Sequence, residues 1–372
     1  MSIDLSEKIS CFSLLKSFFD PVKTDDIQEL LKVKGIVSKD KELTFFNWGR
    51  NALFALFKSL PYKTIHFPAF ICSVTTEAAL AAGKKVKLLE VDKETFNLDI
   101  NNLKNKKIKC LVVLHAFGNP IDVLKIKKIL PKTFIIEDCA HSLFSKIGGQ
   151  YVGKTGETTL FSLYKQVPNL NGAVLATNKR LNLNQKEEPF FDLKKRLFIK
   201  TKGIHQYYLN RLKKTYLPKI ARQRFTDKVK PNRLVLALFK QGFENLEQEI
   251  KKRRKLARTY FMLTEKSEYF LAQRFEKKSQ PSFYQFVIRL RPEYSYLRDK
   301  VLMSMRKKGI FLDRLWYDAP IAQEKFSAFK KSCPNAFLLS QSVVSLPIRS
   351  EIKRGKIGYL FKQLQEAFKE NL

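Results

Sequence analysis

Cysteine is scarce and widely spaced in this chain of 372 residues. The five cysteines are Cys11, Cys72, Cys110, Cys139 and Cys333. Their number is odd, no two of them form a CxxC pair, and no histidine stands at the spacing of a zinc ligand. Disulfide-stapled domains and zinc sites need cysteines that are closely spaced or paired with histidine. We therefore predict a protein of a reducing compartment, with no disulfide framework and no metal site.

Long apolar runs are also missing. No stretch approaches the roughly 18 uninterrupted apolar residues of a membrane-spanning helix, so we predict none. The amino-terminal stretch MSIDLSEKISCFSLLKSFFD carries charges inside its only apolar run and has no small-residue cleavage site. We expect no secretory signal there. Together with the cysteine pattern, this predicts a cytoplasmic protein.

Acidic residues are outnumbered two to one, with 35 Asp and Glu against 70 Lys and Arg and a formal net charge of +35. The excess indicates either an anionic partner (nucleic acid, a membrane face or a phosphorylated substrate) or a general lysine bias. Lysine is spread over nearly every segment, which favours the bias. Charge concentrates in residues 194–258, interleaved with Tyr207, Tyr208, Tyr216 and Phe225. That pattern is typical either of nucleic-acid binding or of solvated helix faces.

Apolar residues make up 44% of the chain and include 31 phenylalanines, enough for a large buried core. Short apolar runs alternate with helical stretches in the first half. The runs are TIHFPA (64–69), VKLLEVD (86–92), CLVVLHAFG (110–118) and TFIIED (133–138), with helical stretches at 73–83, 97–106 and 122–130. Runs without strict polar alternation, joined by helices, are typical of a parallel sheet covered on both faces.

The pattern changes after about residue 180. Beyond the basic, helical residues 181–265, we predict strands at 282–290, 310–317 and 342–348 and helices at 296–309 and 354–368. Three units follow. They are a helical segment of residues 1–43, a large α/β domain of residues 44–265 that includes the basic region, and a small α+β domain of residues 266–372.

One stretch carries a chemical pattern. Asp138 ends the apolar run FIIED, and Lys165 stands just past the next run, TLFSL. The carboxyl ends of parallel strands meet at one edge of a sheet, where ligands bind. In pyridoxal-phosphate enzymes a carboxylate pairs with the pyridinium nitrogen of the cofactor, and a lysine binds its aldehyde. His115 also follows a strand-like run, where it is equally explained as a hydrogen-bonded core residue.

Several motifs occur here in the order found in the DegT/StrS-type pyridoxal-phosphate-dependent sugar aminotransferases. The chain resembles that family from about Gly49 to the carboxyl terminus. The motifs are Trp48-Gly49-Arg50-Asn51, LHAFGNP (114–120), IEDCAHS (136–142), Phe161-Ser162-Leu163-Tyr164-Lys165 with Gly172, and PNAFLLSQSVVSLPI (334–348). Two residues that commonly precede the family lysine are absent, so the chain resembles a divergent subset with a short lysine loop.

The resemblance implies a role for each matching residue. Lys165 would hold the cofactor aldehyde and later move a proton during transamination, and Asp138 would keep the pyridinium nitrogen protonated. His141 stands where the family has Gln or His, within reach of the phenolic oxygen of the cofactor. The phosphate would be held by Ser162 and by the turn Gly49-Arg50-Asn51, where arginine replaces the usual threonine and adds a positive charge.

Three positions depart from the family pattern. The aromatic residue that stacks on the cofactor ring falls at or near Cys72, with Phe70 two residues earlier as a possible replacement. The second glycine of the lysine motif is Ala173. The stretch GYNxRM, whose asparagine reaches the cofactor of the neighbouring subunit, is absent, and Asn232-Arg233 matches it only weakly.

The resemblance further implies the aspartate aminotransferase fold (fold type I): a large domain with a mostly parallel sheet, a smaller carboxyl-terminal α+β domain, and a homodimer. The implied reaction moves an amino group from an amino acid, with glutamate as donor, to a keto group of a nucleotide-linked sugar in surface polysaccharide synthesis. One alternative is a scaffold without catalysis that binds an anionic partner or makes peripheral membrane contact. Nucleic-acid binding through the basic region is the weakest hypothesis.

Overall fold

A computed structural model describes residues 9–20, 22–202 and 225–372. Tyr207, Tyr208 and Tyr216, which led to the nucleic-acid hypothesis, lie outside the described residues. In the described part, no helix is both long and apolar enough to cross a bilayer.

The described residues form ten α-helices. They are α1 (Cys11–Phe19), α2 (Thr24–Val33), α3 (Gly49–Ser59), α4 (Ser73–Ala81), α5 (Val123–Ile129), α6 (Phe190–Lys202), α7 (Arg233–Glu265), α8 (Arg298–Lys307), α9 (Pro334–Ser342) and α10 (Arg354–Lys369). Five short 3-10 turns supplement them, at Ile100–Leu103, Ala116–Gly118, Pro292–Leu297, Pro320–Ala322 and Glu324–Phe329.

The described residues also form fifteen strands. They are β1 (Glu42–Phe46), β2 (Thr64–Pro68), β3 (Lys85–Leu89), β4 (Cys110–Leu114), β5 (Phe134–Asp138), β6 (Lys146–Ile147), β7 (Gln150–Tyr151), β8 (Thr158–Ser162), β9 (Ala173–Thr177), β10 (Lys186–Glu187), β11 (Val229–Lys230), β12 (Phe270–Ala272), β13 (Ser279–Gln280), β14 (Phe286–Leu290) and β15 (Val343–Leu346).

Seven strands build the main sheet in the order β1-β9-β8-β5-β4-β2-β3. The five strands from β8 to β3 run parallel, whereas β9 is antiparallel to both of its neighbours. Strands β4 and β8 are buried along their whole length, as their unbroken apolar sequences predict. The register pairs Asp138 with Leu114 on one side and Leu160 on the other. The carboxyl ends of β4, β5 and β8 therefore meet at one edge.

The amino-terminal segment packs as two helices before β1. Ile27 and Leu31, one helical turn apart on α2, are both buried in the core cluster that also covers β1 and β9. Asp26 accepts a hydrogen bond from the Lys23 backbone at 2.6 Å and caps the helix start. The predicted boundary at residue 43 falls within β1, which begins at Glu42 and pairs with β9.

The carboxyl-terminal part has its own core and a three-stranded antiparallel sheet, β12-β14-β15. The predicted strand at 310–317 is wrong, because the segment holds only isolated bridge residues, Ile310 and Asp313, of which Asp313 pairs with Ser345. The predicted helix at 97–106 shrinks to the 3-10 turn Ile100–Leu103, where Asp99 accepts from the Asn101 backbone and holds the chain in a turn.

Helix α7 connects the two parts. Its first half packs under the main sheet, with Phe239 and Phe243 in the core of β1 and β9. Its last turns carry Leu256 and Tyr260 into the carboxyl-terminal core. A second link is β13, which pairs with β6, a short strand that follows β5 along the chain. This one helix thus belongs to both cores. The predicted domain boundaries remain a prediction.

Candidate active site

A cavity of about 140 Å³ opens at the carboxyl edge of the main sheet. Leu114, Asp138 and Ser162 line it, and they are the last residues of β4, β5 and β8. The first residue of α3, Gly49, also lines it. The cavity therefore lies where parallel strands and a helix amino terminus converge, the usual ligand position in such sheets.

Lys165 and His141 meet inside the cavity. The Nζ atom of Lys165 lies 2.7 Å from Nε2 of His141. Burial, together with the charge of Lys165, holds the pKa of His141 well below its usual value, so the imidazole is neutral. Burial opposes the ammonium form of Lys165, but the neighbouring Tyr164, Tyr284, Cys72 and Asp138 together outweigh it, so the pKa of the amine is raised. The lysine therefore donates the hydrogen bond and the histidine accepts it.

This proton placement leaves Nδ1 of His141 as a donor. The atom is buried and has no hydrogen-bond partner in the described residues. The ring is fixed by stacking on Tyr284 at 4.5 Å and on Trp316 at 5.5 Å between centroids. A rigid, buried donor without a partner fits a ligand oxygen such as the phenolic oxygen of pyridoxal phosphate.

Asp138 is buried at the end of β5, with 5% of its surface exposed. Its Oδ1 accepts from the Ala140 backbone at 3.0 Å. Burial raises the pKa of this carboxyl, more than the Ala140 bond and the charge of Lys165 lower it. A carboxylate in this environment is stabilised by a cationic ring nitrogen, as the predicted pairing with the cofactor requires.

Three further lining residues, Gly49, Arg50 and Ser162, suit an anion. Ser162 is 4% exposed, and its Oγ has no partner among the described residues. Gly49 opens the eleven-residue helix α3, whose first backbone N–H groups and dipole favour negative charge. The Nε atom of Arg50 is buried without a partner in the described chain. Burial lowers the pKa of Arg50, which an anion would offset.

Asn51 is placed differently from its neighbours. Its Nδ2 donates to Asn47 Oδ1 at 2.8 Å, and its Oδ1 accepts from the Thr226 backbone at 3.1 Å. Its two partners are the residue four positions before it and the backbone of the segment that leads into β11. The asparagine therefore fastens the helix start, and its contact with a cofactor stays a prediction.

The aromatic wall comes from a residue that the sequence did not single out. Cys72 lines the cavity, but Phe70 is fully buried and packs against Phe96, Phe117 and Trp316. Trp316 lines the cavity instead. Its backbone has φ 51, a left-handed conformation that is rare for a bulky residue and is tolerated where the surroundings fix it.

A buried polar network supports the lysine loop. Gln166, which follows Lys165, donates to the His141 carbonyl and to Ser282 Oγ, both at 2.6 Å. Arg253 of α7 donates to the Gln166 amide oxygen at 2.8 Å. The network joins α7, the lysine loop and the carboxyl-terminal part, so it holds the backbone on both sides of the Lys165–His141 pair.

His115 proves to be a satisfied core residue. It forms with Glu137 and Cys139 a buried group whose ligand atoms lie within 4.8 Å of one another. Nδ1 of His115 accepts from the Ile121 backbone at 3.1 Å, and Nε2 bonds Glu137 at 3.2 Å. The Glu137 carboxylate also accepts backbone N–H groups of the loop 153–156. Both nitrogens of His115 are therefore bonded within the protein, and Glu137 holds the loop 153–156. The expected absence of a metal stays a prediction.

The sequence profile of the DegT/DnrJ/EryC1/StrS aminotransferase family matches residues 49–365. The chain belongs to this family. Membership confirms the family predicted from the motifs, and it agrees with a cavity built from the same motif residues. Asp138, Ser162 and Lys165 all line that cavity, so the acid, the hydroxyl and the lysine of the motifs lie in one site.

Curated relatives of the family vary in how far they align. A UDP-N-acetyl-3-dehydro-alpha-D-glucosamine 3-aminotransferase of Acidithiobacillus ferrooxidans is 24% identical over 330 residues, which are 83% of this chain and 80% of the relative. An uncharacterised protein of Methanocaldococcus jannaschii is 31% identical over 101 residues, 25% of this chain. The matched region spans only about a quarter (26%) of that relative.

Solved structures share the fold along the whole chain. PseC of Helicobacter pylori, an aminotransferase involved in pseudaminic acid biosynthesis, superposes with a TM-score of 0.76 at 17% identity over 99% of this chain and 100% of that one. The PLP form of the sugar aminotransferase Spr1654 of Streptococcus pneumoniae gives 0.76 at 14% identity, with both chains fully covered. The predicted α/β fold of type I is thereby confirmed.

Membership of this family confirms pyridoxal phosphate, the cofactor predicted from the motifs, and the side chains that line the cavity suit it. Three buried polar atoms without partners in the described chain line it, namely His141 Nδ1, Ser162 Oγ and Arg50 Nε. His141 is the residue bonded to Lys165, whereas Arg50 belongs to the first turn of α3 and Ser162 ends β8. An aromatic acceptor with a phosphate tail provides partners for all three atoms.

Proposed function

We propose that this chain is a pyridoxal-phosphate-dependent aminotransferase that moves an amino group from an amino acid, with glutamate as donor, to the keto group of a nucleotide-linked sugar. The observation that carries the proposal is the Lys165–His141 contact of 2.7 Å in a cavity that Asp138 also lines. A buried lysine, a neutral histidine and a desolvated carboxylate that meet in one cavity are typical of a catalytic site.

Each side chain has a defined task in this proposal. Pyridoxal phosphate, when bound, supplies an electron sink for the substrate carbon that loses and regains a proton. The Nζ atom of Lys165 binds the cofactor between turnovers and carries that proton once it is free. His141 Nε2 orients Nζ, because it accepts one of the hydrogens of the amine. Asp138 stabilises positive charge on the ring nitrogen of the cofactor.

The substrate class is supported by the relatives and by charge. The aligned Acidithiobacillus protein is named for a UDP-linked sugar. A nucleotide-linked sugar carries a diphosphate, and the net charge of +35 favours the approach of such an anion. The proposed place of the reaction is surface polysaccharide synthesis.

The decisive experiment is a two-step assay with the purified full chain. Visible absorbance is recorded after addition of pyridoxal phosphate to the wild type, to Lys165→Ala and to Lys331→Ala, an exposed lysine outside the cavity. Glutamate labelled with ¹⁵N is then added, and mass spectrometry follows the label into a panel of UDP- and GDP-linked keto sugars.

The wild type and Lys331→Ala should show the absorbance of lysine-bound cofactor and should release 2-oxoglutarate from glutamate. Lys165→Ala should do neither. Absence of the absorbance in the wild type would leave the alternative of a scaffold without catalysis. If glutamate removes the cofactor absorbance but no sugar becomes labelled, the chain is an aminotransferase whose acceptor is another keto compound.

We also propose a homodimer in the cytoplasm. The resemblance to dimeric family members supports the assembly, and the five unpaired cysteines support the compartment. Light scattering of the eluting protein measures the mass, which should be twice that of the 43.4 kDa chain. Elution as a monomer at assay concentration would refute the dimer.

Peripheral contact with an anionic membrane is a second candidate property, favoured by one surface. Phe12 and Phe19 on α1 and Phe191 on α6 are 76–80% exposed. The two helices touch through Phe18 and Phe190, with ring centroids 5.7 Å apart. Exposed aromatic residues beside lysines, as in this basic chain, are typical of helices that bind a membrane surface.

Co-sedimentation with vesicles tests this surface. Binding to phosphatidylserine-containing vesicles, but not to phosphatidylcholine vesicles, should be lost in the double variant Phe12→Ser/Phe19→Ser. Equal recovery in the supernatant with both lipids would remove the membrane role, and a change in dimer mass in the double variant would assign the surface to a second copy of the chain.

A further inference from the structure

One of the rings that stack on His141 also lies close to Lys165. The centroid of the Tyr284 ring is 4.5 Å from that of His141, with 24° between the ring planes. The Nζ atom of Lys165 is 5.7 Å from the centroid of the same tyrosine ring. The face of an aromatic ring attracts an ammonium group at that distance. Tyr284 therefore interacts with both members of the Lys165–His141 pair.

Tyr284 belongs to the carboxyl-terminal part of the chain. It lies between β13 and β14, whereas His141 and Lys165 follow β5 and β8 of the main sheet. Tyr284 is not among the residues that line the cavity. Any effect of its ring on a bound ligand is therefore exerted through the lysine and the histidine.

A close backbone contact holds the segment 282–284 against the main-sheet part. The Ser282 N–H donates to the Gly118 carbonyl at 3.2 Å, and the Ser282 hydroxyl donates to the His141 carbonyl at 3.1 Å. Gly118 has φ 92. A Cβ atom on it would lie 2.7 Å from Ser282 Oγ, 2.9 Å from the Phe283 nitrogen and 3.1 Å from the Tyr284 nitrogen. Only glycine at position 118 allows this approach.

The backbone around these rings is strained. Phe283, which directly precedes Tyr284, has φ 48. Phe117 and Trp316, whose rings stack on His141 at 5.7 and 5.5 Å, have φ 58 and φ 51. Bulky residues rarely adopt this left-handed conformation, and such outliers concentrate at functional sites. Tertiary contacts must therefore hold the aromatic surroundings of His141 in place.

The protonation of Lys165 depends on its surroundings. Tyr284 is one of the groups that raise the pKa of the lysine against the effect of burial. The other titratable groups that face the amine include Cys72, Asp138, His141 and Tyr164, all of the main-sheet part. Tyr284 is thus the contribution of the carboxyl-terminal part to the environment of the amine.

We propose that Tyr284 is a positioning residue of the active site, through which the carboxyl-terminal part holds the Lys165–His141 pair in its working geometry. The inference rests on the proposed function, since Lys165 is the residue that carries the proton in that reaction. The tyrosine ring fixes the imidazole by stacking and stabilises the protonated amine through its face. An amine that holds its proton more strongly is also the stronger base for the proton that the substrate carbon loses.

The test measures the reactivity of Lys165 in the cofactor-free full chain. Trace labelling with acetic anhydride at pH 8 is followed by mass spectrometry of the peptide that contains Lys165, and exposed Lys331 in the same digest is the internal standard. The labelling rate is proportional to the fraction of free amine. Lys165 should be labelled about 3- to 30-fold faster in Tyr284→Leu, the range for loss of one cation–ring contact. Tyr284→Phe keeps the ring face and should stay within about twofold of the wild type.

A matched variant separates the contact with the lysine from a general loosening of the rings. Phe117→Leu removes another ring that stacks on His141. It should change the labelling of Lys165 by less than about twofold, because Tyr284 is the ring that faces the amine. Thermal unfolding of each variant reports whether it is folded.

Gly118→Ala tests the docking of the segment 282–284 with Tyr284 left in place. The added Cβ atom should displace this segment, so Lys165 should be labelled faster than in the wild type, as in Tyr284→Leu. Gly83→Ala is the control, because Gly83 has a similar φ of 75 and a Cβ atom there meets nothing within 4 Å. It should leave the labelling of Lys165 unchanged.

The outcomes are distinct. Equal labelling of Lys165 in Tyr284→Leu and the wild type would overturn the inference, and so would the same acceleration in Tyr284→Phe or in Phe117→Leu. A wild type that never shows the absorbance of lysine-bound cofactor would refute the proposed function. Faster labelling of Lys165 in Tyr284→Leu would still establish, in that case, that the tyrosine controls the amine.

Discussion

The side-chain nitrogen of Lys165 lies 2.7 Å from Nε2 of His141, and the environment decides which of the two carries the proton. Burial keeps the imidazole neutral, whereas the neighbours of the lysine raise the pKa of its amine. The cofactor-free site therefore holds an ammonium group that points at an imidazole acceptor.

This arrangement predicts how fast the cofactor binds at different pH. The free amine reacts with the aldehyde, and its fraction rises about tenfold per pH unit below the pKa of the lysine. We expect the rate of pyridoxal-phosphate incorporation to rise steadily from pH 6.5 to 9, as followed by stopped-flow absorbance. A rate that is flat over this range would mean that the amine of Lys165 is already unprotonated.

His141 also predicts a loss of stability in acid. A group whose folded pKa lies below the unfolded value of 6.5 stabilises the fold above that value and loses this contribution as pH falls through it. We expect the thermal midpoint of the cofactor-free protein to decline below pH 6.5, and His141→Gln, which cannot titrate, to decline less. The same decline in both would place the acid sensitivity elsewhere.

Asp138→Asn should separate stability from activity. Burial raises the pKa of Asp138, so ionising this carboxyl costs more free energy in the folded protein than in the unfolded chain. Its contribution to stability is therefore present at low pH and is lost as the pH rises to 7. We expect Asp138→Asn to raise the thermal midpoint at pH 7 without cofactor. The rate of the reaction with glutamate should fall by about 10²–10³-fold, the usual effect of removing one fixed electrostatic partner. A lower midpoint together with normal rates would contradict both roles.

Trp316 should matter for cofactor binding, and Phe70 should matter for folding. Trp316→Leu removes the aromatic wall and should weaken pyridoxal phosphate by roughly 2- to 10-fold, the range of one aromatic contact. Trp316→Phe should recover most of the affinity. Phe70→Leu, at a buried position outside the cavity lining, should lower the thermal midpoint and change the affinity less. The reverse ranking would make Phe70 the ring partner after all.

Gly242 of α7 should tolerate no side chain. A Cβ atom there would lie 1.9 Å from Cγ1 of Val167, two residues after Lys165. We expect Gly242→Ala to destabilise the fold by about 1–3 kcal/mol and to weaken the cofactor, because the helix would push the lysine loop. Gly358→Ala in α10 is the control: a Cβ there has no atom within 4 Å, and alanine should stabilise the helix by about 0.5–1 kcal/mol. Denaturant unfolding measures both.

The sequence sufficed for the parts of the site that lie on the main sheet. Asp138 and Ser162 end neighbouring parallel strands, and unbroken apolar runs reveal such strands without any tertiary information. The parallel order of the strands is then enough to predict that the site lies at their carboxyl ends. Lys165 could be placed there because it stands three residues after the end of β8.

Other contacts were beyond prediction because they join distant segments. Arg196 on α6 lies against Trp48, with 5.1 Å between its guanidinium carbon and the ring centroid, and it bonds Glu188, which in turn accepts from Asn47. The segment 310–317 lies beside the edge strand β15, where Asp313 pairs with Ser345, but a turn at residues 315–318 with a left-handed Trp316 stops it from continuing as a strand. The left-handed turn at Trp316 then directs the chain into the cavity.

Helix α7 has a consequence for cooperativity. Its 33 residues span about 50 Å and enter both cores, and Tyr260 near its end bonds the Pro347 carbonyl at 2.7 Å. Neither core can melt without exposing half of a helix that the other core needs. The two cores should consequently unfold in one calorimetric transition. A destabilising substitution in the carboxyl-terminal core should then also lower the affinity for the cofactor, which binds near the other end of the same helix.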